Sequence, residues 1–124
     1  MELEGREGLG CGKRATQQVR EFVEREIHGR WHESNLHGVN LRTCLVTPRR
    51  VKMINRRVVD GDIVDSTVEV WVVLEETPGE TGGYTIFFDE EDRCFGLASP
   101  GFKEDSHPVI CGYYGDFWTT LKGM

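Results

Sequence analysis

Apolar and polar positions alternate along two arms, Arg50–Val59 and Asp62–Glu76, joined by Asp60-Gly61. A two-residue Asp-Gly connection closes β-hairpins because both positions tolerate positive φ. That turn predicts the pairing outward: Val59 faces Asp62, Val58 faces Ile63, Arg56 faces Asp65, Lys52 faces Glu69 and Arg50 faces Trp71. On the other face Met53 meets Val68 and Val51 meets Val70. A single register thus yields an apolar face and two opposite-charge cross-strand pairs together.

Helical spacing dominates upstream. Val19, Phe22, Val23 and Ile27, with Trp31 one turn later, fall at i, i+3, i+4 intervals, predicting a helix over Ala15–His32. Arg20, Glu21, Glu24 and Arg25 fill its opposite face. Leu41–Val46 reads as a short strand ending at Thr47-Pro48. Beyond the long hairpin, Thr77–Gly83 is a Gly/Pro-rich loop. Tyr84–Phe88 and Arg93–Leu97 pair around Asp89–Asp92, with Ile86 opposite Phe95. Val109–Gly112 is a last strand, and Gly115–Lys122 a helical turn with Asp116 near its start.

Consecutive strands with short connections pair with their neighbours, and an amphipathic helix must cover one face. The expected fold is α+β: one long N-terminal helix packed on a curved antiparallel β-meander of five to six strands, with a short C-terminal helix. Residues 1–12 form a flexible lead-in and residues 13–124 a single domain. In this reading Val68, Val70, Val72 and Leu74 face the helix, while Trp71, Val73 and Phe87 point away.

The helix Ala15–His32 and the strands from Leu41 to Gly112 together resemble the cystatin-like and NTF2-like architecture. The resemblance implies a helix embraced by a curved sheet. It implies no activity, because such folds host enzymes, binding proteins and dimerisation modules alike. The Gln-Val-Gly-like loop of cystatin-type inhibitors is absent, and NTF2-like proteins usually carry more N-terminal helices.

Composition narrows the function classes. A net charge of −6 among 124 residues disfavours broad nucleic-acid affinity. No apolar run approaches a membrane span, and Met1–Gly12 has no apolar leader core, so a soluble cytoplasmic protein is expected. Cys11, Cys44, Cys94 and Cys111 show no CxxC spacing, which favours reduced thiols over disulfides or a zinc site.

Three surfaces are candidates. Trp71, Val73 and Phe87 place large apolar groups on the outer sheet face, as a protein partner or homodimer interface would require. The competing reading folds the terminal Tyr113, Tyr114, Phe117 and Trp118 over that face. Arg49, Arg50 and Arg57 belong to a basic stretch that could meet an anionic partner. That stretch lacks the interleaved aromatics of single-strand binders, so nucleic acid is disfavoured. His28, Trp31 and His32 would line the mouth of a small-molecule pocket between helix and sheet. His28 and His32 are four apart, but Gly29 stands where a zinc protease needs glutamate, so no metal or cofactor is expected. Catalytic motifs are absent. The expected function is a non-enzymatic binding or dimerisation module acting through the outer sheet face. The pocket (as a small-molecule site or small enzyme) and the basic strand are the alternatives.

Overall fold

A computed structural model describes residues 8–35, 37–80 and 82–124, with the side chains of residues 8–13 outside that description. Its elements are α1 (Gly8–Ile27), α2 (Leu41–Cys44), β1 (Leu45–Val59), β2 (Asp62–Glu75), β3 (Thr85–Asp89), β4 (Cys94–Ser99), β5 (Val109–Gly115) and α3 (Phe117–Gly123). The α+β class, the N-terminal helix, the five strands and the short C-terminal helix agree with the expectation.

Helix α1 starts earlier and ends sooner than its periodicity suggests. Residues 8–12 already have helical backbone, and the rest of the expected lead-in lies outside the described residues. The helix stops at Ile27 because His28 (φ 45°) and Gly29 (φ 79°) turn left-handed. The Arg30 amide then donates to the Ile27 carbonyl at 3.0 Å. Trp31 and His32 therefore lie beyond the helix. Residues Leu41–Cys44, expected as strand, form a single helical turn instead. The Asn40 side chain caps it by accepting from the Arg42 amide at 2.9 Å.

The long hairpin has the predicted register throughout, from Val59↔Asp62 to Arg50↔Trp71. Asp60 (φ 52°) and Gly61 (φ 84°) supply the two positive-φ positions. β2 then pairs with β3, β3 with β4 and β4 with β5, all antiparallel. The sheet is not an open meander: β1 meets β5 in parallel at Ile54↔Val109, closing a five-stranded barrel. Irregularities supply the bend. The register slips between Leu45 and Arg49, where Pro48 has no N–H to give a ladder, and again between Val72 and Leu74. Two further slips fall in the β4–β5 pair.

The second hairpin is shifted by two residues from its expected pairing, with Ile86↔Leu97 and Phe88↔Phe95. Glu90–Arg93 form the turn, and Arg93 takes the left-handed position (φ 52°). An even shift leaves every side chain on its expected face. Buried Asp89 locks this turn: its carboxylate accepts from the Glu91 and Asp92 amides and from the Tyr113 hydroxyl at 2.9 Å.

Closure gives the sheet two buried faces. Inside the barrel lie Met53, Val70, Val72, Phe87 and Ala98. On the outside, Val19, Val23 and Ile27 of α1 and Phe117 and Leu121 of α3 join Trp71, Val73, Phe88, Phe95 and Leu97 in the larger core. Rings link the layers: Phe22 lies 5.0 Å from Phe88, Phe88 5.0 Å from Phe95, and Phe95 5.7 Å from Phe117. The face expected to meet the helix, Val68, Val70 and Val72, is turned into the barrel. Leu74 leaves that face at the slip after Val72 and joins the helix layer.

Past Ile54 on β1, and before Trp71 on β2, these strands pair with each other and with no further strand. Residues 55–66 consequently form a two-stranded arm that reaches beyond the barrel.

Candidate functional site

The outer-face candidates are buried. Trp71 is 4 % exposed and Val73 1 %, both within the core between α1 and the sheet, so this face is not open to a partner. Phe87 is fully buried inside the barrel. It does not share a face with Trp71, because Trp71 pairs with Phe88 and Val72 with Phe87. The terminal segment does contribute to the cover, through Phe117 and the Trp118 indole, whose N–H donates to the Glu26 carbonyl at 2.9 Å.

The basic residues are dispersed and mostly matched. Arg49 meets Glu75 at 2.6 Å, and Arg50 meets Glu69 at 2.9 Å and Glu90 at 3.6 Å. Lys52 stands opposite Glu69 in register, yet the Glu69 carboxylate is engaged by Arg50. Arg57 lies on the arm opposite Val64, about 23 Å along the strand from Arg50. The three arginines proposed as one patch therefore do not converge.

His28 and His32 are exposed and sit outside the helix, so they share no helical face. Of the expected pocket mouth only Trp31 borders a cavity between helix and sheet. His32 borders a separate depression on the other side of Trp31 and Arg42. Among the described residues no three His, Cys, Asp or Glu side chains gather as metal ligands would.

Two other places stand out. The first is the arm. Val58 (73 %), Phe102 (71 %) and Ile63 (70 %) are the most exposed large hydrophobic residues described. Val58 and Ile63 face each other across the hairpin. Two residues further in, on the same face, Arg56 spans two carboxylates. Its guanidinium donates to both oxygens of Asp65 at 2.8 Å and to Asp105 at 2.9 Å. Asp105 also accepts from the Phe102 amide at 2.8 Å, which holds Phe102 beside the triad.

Hydrogen bonding to Arg56 holds the Asp65 and Asp105 carboxyls below the usual carboxylate range. A carboxylate depressed in the folded state stabilises above its unfolded pKa, and that contribution disappears as pH falls through the folded value. The stability advantage of wild type over Arg56→Gln is therefore expected in full at neutral pH and to shrink below about pH 4. Thermal melts of both proteins across the acid range check this; a gap that stays constant to about pH 2 contradicts it.

The second place is a cavity of about 200 Å³ between α1, Trp31, α2 and the start of β1. Val23, Leu41 and Val73 form its buried base, and Arg20, Glu24 and Arg42 are at its rim.

No family model, curated protein or solved structure matches the chain. No helix among the described residues is long and apolar enough to cross a membrane. The Val58–Ile63 pair was legible in the sequence once the register was set. Phe102 and Asp105 were not: they sit in an irregular loop, and only closure of the barrel at Ile54↔Val109 brings that loop to the arm.

Proposed function

We propose that this chain is a protein-interaction module that dimerises through its hairpin arm. One observation carries the reading: the three most exposed large apolar residues described, Val58, Ile63 and Phe102, lie on the arm and on the loop that one ion triad ties to it. A free two-stranded hairpin is marginally stable in water. A partner that buries its tip would supply the missing packing.

Charge selects the mode of association. The β1 side of the arm carries Arg56 and Arg57, and the β2 side carries Asp62 and Asp65. Two-fold pairing edge to edge would set like charges together. Face-to-face stacking brings Val58 and Ile63 of both copies to the centre, with Phe102 at the rim. Arg56 stays satisfied by its own aspartates. Such an interface is isologous and closes as a dimer. The patch is small, so the expected affinity is weak, roughly micromolar.

Native mass spectrometry and light scattering over a dilution series test the proposal. Wild type is expected to dimerise by about 100 µM. Val58→Thr with Ile63→Thr is expected to be monomeric and to melt close to wild type, since both side chains are already in water and threonine keeps the strand preference without setting like charges opposite each other. A wild-type monomer at that concentration, or a dimer that survives both substitutions, would overturn it.

A further inference from the structure

We infer that the cavity beside Trp31 is a second binding site, for a small monocyclic aromatic carboxylate. Its base is apolar and rigid: Val23, Leu41 and Val73 are each under 5 % exposed. Ligand sites of this type combine an apolar interior with a few placed polar groups. Size limits the guest. An apolar cavity of about 150 Å³ accommodates benzene. About 200 Å³ suits one ring with a short acidic substituent and is too small for a nucleotide. The Trp31 indole offers an aromatic wall against which such a ring can pack.

The rim sets the charge. The Arg42 guanidinium lies 5.3 Å from the centre of the Trp31 ring, and no carboxylate among the described residues forms an ion pair with it. Its backbone is fixed, because Leu41 and Cys44 on either side are buried and Asn40 caps the turn. A planar guanidinium held over an aromatic wall matches a carboxylate with two parallel hydrogen bonds. Glu24, the acidic group at the rim, lies 3.9 Å from Arg20. Two arginines against one glutamate leave the mouth net positive, which favours an acid over an amine.

The probes are phenylacetate, phenethylamine and benzyl alcohol, titrated into the full chain and followed by backbone amide NMR. Phenylacetate is expected to shift the amides of Val23, Leu41 and Val73 saturably, and to bind more tightly than benzyl alcohol. Arg42→Gln is expected to weaken phenylacetate about tenfold or more while leaving benzyl alcohol unchanged. Arg57→Gln, an equal charge change on the distant arm, is expected to alter neither. Absence of saturable shifts up to about 10 mM phenylacetate overturns the inference. So does tighter binding of phenethylamine, or equal weakening by the two arginine variants.

Discussion

Alanine at position 96 is expected to destabilise the protein by about 3 kcal/mol, at the upper end of the cost of overpacking. Gly96 lies in β4 and faces the barrel interior, where the Phe87 ring crosses it. An added Cβ would stand 2.4 Å from Phe87 Cζ and 2.5 Å from the Gly112 carbonyl oxygen. Trimming the ring relieves the first contact, but the carbonyl belongs to the neighbouring strand and cannot swing aside. Against a typical total stability of about 5–15 kcal/mol this is a large loss, visible as a fall in melting temperature of about 10 °C. Combining Gly96→Ala with Phe87→Leu is expected to recover only part of it. Full recovery would mean that the ring alone sets the limit and that β5 can yield.

Trp71→Asp is expected to be harsher and to abolish cooperative unfolding altogether. It removes one of the largest side chains of the helix-covered core and buries a carboxylate 4 Å or so from apolar atoms on most sides. Burying a carboxylate here costs several kcal/mol, which Arg50, 5.4 Å from the Trp71 ring centre but already engaged by Glu69 and Glu90, offsets only in part. The nearest acidic neighbour, Glu90, which now accepts from the indole N–H at 3.2 Å, adds repulsion. Trp71→Phe keeps most of the apolar surface and loses that hydrogen bond, so its expected cost is far smaller, about 1–2 kcal/mol. Circular dichroism during denaturation separates the two. A folded Trp71→Asp protein would show that α1 does not hold this face closed.

Local chemistry was the legible part of the fold. The Asp60-Gly61 turn fixed a hairpin of more than twenty residues because side-chain alternation and charge pairing agreed with it. Faces were harder. Periodicity shows that Val70 and Val72 share one side and Trp71 and Val73 the other, yet both sets are apolar. Which of them meets a helix depends on the sheet curling into a barrel, and no repeat in the sequence encodes that. The slip at Val72/Leu74 then moved Leu74 across, as a bulge does without any strong sequence mark. For the candidate sites, Trp31 and the arm valine were readable from spacing. The place of Arg42 over Trp31 depends on a one-turn helix hidden in an apparent strand.

The closure of the barrel has a bearing on how the chain assembles. Every pairing but one joins strands that are neighbours in sequence, and these can form by short-range zipping. The remaining contact, Ile54 with Val109, spans nearly half the chain and rests on a single residue pair, with the Ile54 amide donating to the Pro108 carbonyl at 2.8 Å. Closing so long a loop carries an entropic cost that so few contacts do little to offset until the rest of the sheet has curled. The barrel is thus a ribbon whose ends are clasped last, and the clasp also delivers Asp105 to Arg56. Assembly of the ion triad at the arm is thereby tied to completion of the fold.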